Sequence, residues 1–584
     1  MCGIIARVGK NTNPIKTLKG LKFLEYRGYD SYGILLFNNS DSSNVLSKDI
    51  SELSEFEISK LSIVKSNIEI GHTRWATHGG VTAVNAHPHF DSSESFYVVM
   101  NGIIENYLDV KSDLKNSGVV FNSETDTEVL PHLFAKYFCD TGFIERDLLT
   151  CSTKVFADLK GEFSFVVKYK HAILAYKNIN PIAVGVSSDE VFLCSDSGLV
   201  QNNCDSFYIL NDGEVFTSAI SESDEISSHF YRDLVPFSPD FKESVKTEFD
   251  CDNSFSTYME KEIYEQKNLR NIITSENLSS IKYLKDIISS SRDVVLTAAG
   301  TSYHAAYVMH HELLRAGVMS SVILASELHN YKSVISDSLI VVFTQSGETA
   351  DLIYPLRELK ESNEIFTITN TADSTLARFA NRLVMLNCGR EVSVASTKAF
   401  TAQVFVSHLL SYELEGKNIG ENLSIYENDF TALVNSCGSV LDEVCEKFHK
   451  SPDFFFIGRN QFHPFALEGS LKLKEVSYIH AEGFAGGELK HGTLALITDN
   501  VPVVALGNCD EIVSNAIEIK TRGGVLIGIS SRPNEVFDYF VKVPENFEEI
   551  LGTVVMQLLS LKMAQKLGLN PDKPRNLAKS VTVK

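Results

Sequence analysis

Cys2 stands directly after the initiator methionine. Removal of Met1 would leave a thiol and a free α-amine on one residue. An α-amine titrates near about 7.7–8.0 and a thiol near about 8.5, so the amine can take the thiol's proton close to neutral pH. No separate histidine is then needed. Alone, such a cysteine reads as readily as a small residue opening a buried strand. Other groups supply what an α-amino-acid amide site requires. Arg74, in Arg74-Trp75-Ala76-Thr77-His78-Gly79, offers a guanidinium suited to gripping a carboxylate. Asn101–Gly102 offers a side-chain NH2 and a backbone N–H to a developing oxyanion. Asp126 can pair with an ammonium group. Singly, each has an ordinary alternative: a surface ion pair, a tight turn, a helix cap.

A second set of groups lies in the back half. Gly300-Thr301-Ser302, the turn Thr344-Gln345-Ser346-Gly347-Glu348-Thr349, and Ser396-Thr397 are rich in hydroxyls. Such turns, where a strand gives way to a helix, hold phosphate through backbone N–H groups, hydroxyls and the helix dipole. N-capping uses the same residue types. Three turns within one segment favour phosphate, with Thr301, Ser302, Thr344, Gln345, Ser346, Thr349 and Ser396 as expected contacts. Further on, Glu468, Lys472 and Glu475 are spaced four and three apart, which sets them on one helix face. Leu467, Leu471, Leu473, Val476 and Ile479 spread around most of that helix, so burial is expected. Buried charges need a task, and proton transfer is one. A solvated Glu–Lys ladder is the competing reading. His491 follows in a Gly-flanked loop, a place where histidine is as often structural as catalytic.

Positioning these groups takes more than one domain. A chain of 584 residues exceeds one hydrophobic core, and about three or four domains are expected. A helix-like run from Thr17 to Glu25 follows a first strand, Gly3 to Val8. Short strand-like runs then dominate, among them Phe96–Met100, Phe163–Tyr169, Ala172–Tyr176 and Val191–Cys194, with a helical piece at Thr125–Tyr137. This predicts an α+β layered domain with antiparallel sheets over residues 2–219. The acidic, Ser-rich stretch 220–257 reads as a linker. From Arg292 the rhythm becomes strand, turn, helix: Val294–Ala298, Leu339–Phe343, Ile365–Thr369, then Phe454–Ile457, Val501–Leu506 and Val525–Ile529. That predicts two α/β domains with parallel sheets, over 275–420 and 447–575, diverged from one unit and bridged by a helix near 429–448.

The formal net charge of −22 excludes nucleic acid and anionic membrane surfaces as expected partners. No apolar run is long enough to span a bilayer, no secretory signal opens the chain, and no Cys/His spacing fits zinc. A soluble cytoplasmic protein with reduced cysteines is expected.

The opening CGI, LEYRGYDSYG from Leu24, GHTRWATHG from Gly71, NGIIEN from Asn101 and SETDTEV from Ser123 resemble the N-terminal-nucleophile glutamine amidotransferases. LEYRGYDS resembles the branch that makes glucosamine 6-phosphate. The resemblance implies Cys2 as nucleophile and Asn101 with Gly102 as oxyanion hole. It implies Arg74, Thr77 and His78 around the glutamine carboxylate, Asp126 on its amine, and Trp75 as an ammonia gate. TSYHA, QSGETAD and KLKEVSYIHAEGFAGGELKHG resemble tandem sugar isomerase (SIS) domains, and the tail PRNLAKSVTV resembles the same synthase branch. This implies that the tail, 576–584, completes the isomerase site through Lys579, which forms a Schiff base with the open-chain ketose. Glu475 would move a proton between C1 and C2, His491 oriented by Glu468 would help open the ring, and Lys472 would steady the enolate. Two positions depart from the family's usual pattern: Thr344 stands for Ser, and Ser393 for Gly.

The implied reaction joins L-glutamine and fructose 6-phosphate, with no metal, nucleotide or redox cofactor and commonly as a homodimer. Two alternatives stay open. One is an amidotransferase with a different acceptor; the hydroxyl turns and Lys579 weigh against it. The other is a phosphosugar-binding regulator without turnover; Cys2, Glu475, His491 and Lys579 together weigh against that.

Overall fold

The computed structural model describes residues 2–246, 254–417 and 422–582. The chain forms two compact units, Met1–Cys251 with Ser580–Lys584, and Asp252–Lys579.

The first unit is built on two antiparallel sheets. Eight strands run in the order Lys242–Glu243, Ser206–Ile209, Ala183–Val186, Glu190–Cys194, Gly3–Thr12, Ser66–Arg74, Ser31–Asn38, Ser43–Asp49. Seven run Val235–Phe237, Ile226–Arg232, Val215–Ile220, Ala172–Tyr176, Gly161–Tyr169, Phe96–Ile104, His89–Phe90. Alternation along each strand explains the layering. Ile4, Ala6 and Val8 point into a core shared with Val99, Val166, Ile173 and Phe216 of the other sheet. Ile5 points the opposite way, against Leu18 and Leu21 of helix Ile15–Phe23. On the far side of the second sheet, Val98 and Phe165 pack under helices Val129–Tyr137 and Ile144–Asp158. Because both faces are covered, the opening strand is buried from Gly3 to Gly9, and the residue just before it is held in a fixed place.

The expected linker is shorter than its composition suggested. Ile226–Arg232 and Val235–Phe237 extend the second sheet, and Lys242–Glu243 pairs with Ser206–Phe207. Phe230 supplies the reason: it is buried against Phe216 and Phe237, which an acidic, Ser-rich average conceals. Residues 247–253 of that stretch lie outside the described ones.

The second unit holds two five-stranded parallel sheets. Their orders are Ser321–Leu324, Val294–Ala298, Leu339–Phe343, Glu364–Thr369, Arg382–Met385 and His480–Ala485, Asp453–Gly458, Pro502–Leu506, Val525–Ser530, Tyr539–Lys542. Both follow the order 2-1-3-4-5, so the two halves repeat one doubly wound design, whose ligands gather at the carboxyl ends of the strands. The bridge is two helices, Asn422–Ser436 and Gly438–Phe448. The charged helix His463–Ser477 stops before its sequence pattern does. Tyr478 turns left-handed at φ 62°, and His480–Ala485 leaves as an edge strand. No described helix is long and apolar enough to cross a membrane.

Three buried histidines make the first unit acid-sensitive. His72 stacks on His87 at 4.1 Å, and His87 meets His89 edge-on at 4.8 Å. Burial pushes His72 down to about 3 and holds His87 and His89 well below their ordinary value of 6.5. Below that value the unfolded chain binds protons that the folded chain refuses, so stability is present above it and is lost as pH falls. Trp75, the single tryptophan, reports the unfolding of this unit by fluorescence. Its denaturation midpoint should be level above about pH 7 and fall between about pH 6.5 and 5, ahead of the carboxylates. His87→Gln should reduce that slope, and a midpoint independent of pH across this window would contradict the assignment.

Candidate active sites

In the first unit Cys2 sits immediately before the buried strand Gly3–Thr12. Its Sγ accepts from Trp75 N–H at 3.3 Å and lies 3.5 Å from Trp75 O. Burial pushes the thiol up, against the pull of the Trp75 N–H and Arg74. A neutral thiol in this position needs a base. Arg74 and Asp126 are near enough to Cys2 to act on its charge, which brings three predicted groups together.

Asn101 and Gly102 lie in strand Phe96–Ile104. His72 Nε2 is 3.2 Å from Asn101 Oδ1 and 2.9 Å from Met100 O. Holding Oδ1 fixes the side chain and leaves its NH2 to be offered elsewhere. Gly102 has φ 107°, and a Cβ there would stand 2.1 Å from Glu162 O, so only glycine fits. Asp126, pushed up by burial, accepts from Ile104 N–H at 2.8 Å, next to this pair.

Arg74 is engaged differently from the expectation. Its guanidinium donates to the carbonyls of His78 at 2.5 Å, Gly79 at 3.1 Å and Gly80 at 3.1 Å. It therefore shapes the loop that carries Thr77 and His78 rather than presenting a free fork. Asn85 and Glu124 brace the same loop: Asn85 Nδ2 donates to Gly80 O at 2.9 Å, and Glu124 accepts from Gly80 N–H at 3.1 Å. Asp30 accepts from Ala76 N–H at 2.8 Å. Trp75 meets Tyr29 edge-on at 5.8 Å. Thr77 is exposed and 3.4 Å from His78 Nδ1. Sequence reasoning gave no role to His72, Asn85, Asp30 and Glu124, although His72, Asp30 and Glu124 lie inside the motifs GHTRWATHG, LEYRGYDSYG and SETDTEV.

In the second unit the hydroxyl turns open helices, as their spacing required. Helix Gly300–Arg315 follows strand Val294–Ala298, and Ala350–Leu359 follows the turn 344–349. Gly347, at φ 68°, lies where a Cβ would collide with Ser374 Oγ at 1.9 Å. Thr344 Oγ1 accepts from Gly347 N–H at 3.0 Å and Ser346 Oγ from Glu348 N–H at 3.2 Å. The Thr344 departure thus keeps the hydroxyl that closes the turn. Gln345 joins through its carbonyl, which accepts from Asn370 N–H at 3.2 Å. Thr349 precedes its helix without a side-chain cap bond, and Ser302 accepts from Gln403 Nε2 at 3.0 Å.

Two of the three charged groups on this helix face are buried, and Glu475 is half-buried. Glu468 is 0% and Lys472 1% exposed. Lys472 Nζ lies 2.6 Å from Glu475, 3.4 Å from Glu468 and 2.9 Å from Thr301 Oγ1. Burial opposes the ammonium, but Glu468 and Glu475 outweigh it and hold the lysine above its usual range. The pairing of Glu468 with His491 is not found. His491 is exposed at the end of Gly486–His491, whereas Glu468 Oε2 lies 2.7 Å from His304 Nδ1. His304 sits one helical turn after Thr301, on the same face, and so reaches the buried carboxylate first.

Lys579 Nζ donates to Glu391 Oε2 at 2.5 Å, with the lysine 3% and the glutamate 0% exposed. Glu391 also accepts from Ser396 Oγ at 2.9 Å, Thr397 N–H at 2.9 Å and Ala399 N–H at 3.1 Å. Burial would raise this carboxyl; Lys579 and those N–H groups instead hold it down to about 2. Glu391 went unnoticed in the sequence, though it is the acidic residue of the loop that carries Ser396. The described tail residues after Lys579, Ser580–Thr582, group with the first unit.

Comparison with known proteins fits this division. A glutamine amidotransferase domain model matches residues 72–201, and an SIS domain model matches 287–411 and 447–564. The glutamine–fructose-6-phosphate aminotransferase [isomerizing] of Aquifex aeolicus is 38% identical, with 100% of both chains covered. Its namesakes from Clostridium acetobutylicum and Pyrococcus horikoshii are 37% and 36% identical, again over 100% of each chain. The solved C-terminal domain of the Francisella tularensis glucosamine-fructose-6-phosphate aminotransferase is 32% identical with a TM-score of 0.50, covering 56% of this chain and 100% of that one. With an amidotransferase domain ahead of two SIS domains, and likeness from end to end, the chain belongs to the glutamine–fructose-6-phosphate aminotransferase (isomerizing) family.

Proposed function

We propose that the chain converts L-glutamine and D-fructose 6-phosphate to L-glutamate and D-glucosamine 6-phosphate, the entry to amino-sugar synthesis, with the ammonia passed internally. One observation carries the reading: a buried lysine, Lys579, is paired with Glu391 in the loop that also presents Ser396. An amine kept from water beside hydroxyl turns suits imine formation with a phosphorylated ketose.

In the first reaction the α-amine of a chain begun at Cys2 takes the thiol proton, and sulfur attacks the side-chain carbonyl of glutamine. Asn101 and Gly102 receive the oxyanion. Asp126 pairs with the substrate ammonium, and the loop braced by Arg74 brings Thr77 and His78 to the carboxylate. Ammonia leaves, Trp75 gates its path, and water releases glutamate from the thioester. In the second reaction Thr301, Ser302, Thr344, Gln345, Ser346, Thr349 and Ser396 hold the phosphosugar, and His491 assists ring opening. Lys579 passes a proton to Glu391 as the ketose arrives, its freed amine adds to C2, and water departs. Ammonia then displaces the lysine, and Glu475 carries a proton from C1 to C2 while Lys472 steadies the negative charge between them. Glu468, held by His304, keeps Lys472 in place. We place the enzyme in the cytoplasm as a homodimer.

The purified protein with glutamine and fructose 6-phosphate should yield hexosamine phosphate; its absence would overturn the reading. Cys2→Ala should abolish glutamine-dependent synthesis and leave sugar-phosphate isomerisation intact; loss of both in a folded variant would refute the division of labour. Glu391→Gln strands Lys579 as an unpaired buried charge, which should cost about 3–5 kcal/mol in denaturant titration of the second unit. A loss under about 1 kcal/mol would mean the pair is effectively solvated.

A further inference from the structure

Helix Tyr258–Glu265 lies outside both parallel sheets and outside every motif considered above. Its contacts reach the two segments that carry Lys579 and Glu391. At its start, Tyr258 N–H and Met259 N–H donate to Asp572 at 2.8 and 2.7 Å. Asp572 belongs to the segment that runs on to Lys579. One turn later comes Glu262, 2% exposed. Its Oε1 accepts from the N–H groups of Val392 and, at 3.3 Å, Ser393. Those residues directly follow Glu391. The helix ends on Glu265, which pairs with Lys398 beyond Ser396. Two cross-links close the frame: Val394 N–H to Asp572 O at 3.2 Å and Ser393 Oγ to Pro571 O at 3.5 Å. The second uses the hydroxyl that the Ser393 departure introduces.

We infer that Glu262 is a positioning residue for the Schiff-base lysine: it clamps the turn at Val392–Ser393 and thereby sets where Glu391 meets Lys579. The inference rests on Lys579 being the amine that meets the sugar. Three features favour a role beyond filling space. A carboxyl is a costly group to bury, and an apolar side chain would fill the volume without that cost. Its second oxygen, Oε2, is buried with no hydrogen-bond partner among the described residues, so it is held there by what Oε1 does. Burial, then Glu391, push Glu262 up to about 8 against the pull of Lys579 and Lys398. At neutral pH it therefore acts as a neutral acceptor, and leaves Glu391 as the carboxylate that answers the Lys579 charge.

The neutral state makes glutamine its faithful mimic, since an amide carbonyl accepts the same N–H groups. The test compares Glu262→Ala and Glu262→Gln in the full-length enzyme. The readouts are borohydride trapping of fructose 6-phosphate on Lys579 by peptide mass, and the kcat and KM of synthesis. Glu262→Ala should slow trapping and lower kcat by about ten- to a hundred-fold, as expected when a buried bond to a reactive loop is lost, with KM for fructose 6-phosphate within about threefold. Glu262→Gln should restore both to within about threefold of wild type. Trapping and kcat at wild-type levels in Glu262→Ala would overturn the inference. So would a Glu262→Gln variant as impaired as Glu262→Ala. If the wild type itself traps no sugar on Lys579, the underlying assignment fails instead, which separates the two claims.

Discussion

A charge taken out of water must find an opposite charge or a set of dipoles, and that demand organises the sugar-handling unit. Lys579 is almost wholly buried, and Glu391 answers it at 2.5 Å. Glu391 is in turn fixed by Ser396, Thr397 and Ala399. Lys472, buried on the charged helix, is answered by Glu475 and Glu468, and it touches the first hydroxyl turn through Thr301. The first pair ties Lys579 to a loop from a distant stretch of chain, whereas the second lies within one helix and reaches another stretch through Thr301. Breaking one would do more than remove a contact: it would leave a bare charge inside the protein. The loops are therefore locked in register by electrostatics before any substrate arrives.

The amidotransferase unit meets a different demand with different means. Burial opposes ionisation of its Cys2 thiol. No counter-ion is needed until the thiol is activated, so fixed dipoles suffice. Arg74 holds three successive loop carbonyls, Asn85 and Glu124 hold the same loop from beyond, and His72 holds the Asn101 oxygen. Preorganised donors aimed at a developing charge lower a barrier without rearranging when that charge appears. The two units thus illustrate two ways of preparing for charge: pairing it in advance, or waiting for it with oriented dipoles.

Much of this was legible in the residues. The strands Val294–Ala298 and Leu339–Phe343 read correctly because buried parallel strands are short apolar runs with turns at both ends. The edge strands Ser321–Leu324 and Arg382–Met385 did not, since half-exposed strands of four residues carry little pattern. The segment 226–243 was hidden by its composition, although Phe230 anchors it. At the sites, Cys2, Arg74, Asn101, Asp126, Glu468, Lys472 and Glu475 were visible as residue types at meaningful spacing. Their supports were not. Glu391, Glu262 and His304 act across 188, 130 and 164 residues of chain, respectively, and no local pattern encodes a partner at that distance. The expected Glu468–His491 pairing failed for the same reason: His304 lay nearer on the fold, though no nearer in motif.

On the proposed function, nitrogen released at Cys2 passes internally to C2 of the sugar held at Lys579. Isotope dilution tests this most directly. Glutamine labelled with 15N in its side-chain amide, supplied with fructose 6-phosphate in a large excess of unlabelled ammonium, should give glucosamine 6-phosphate that keeps the full 15N label. Product carrying the isotope ratio of the bulk ammonium would contradict it.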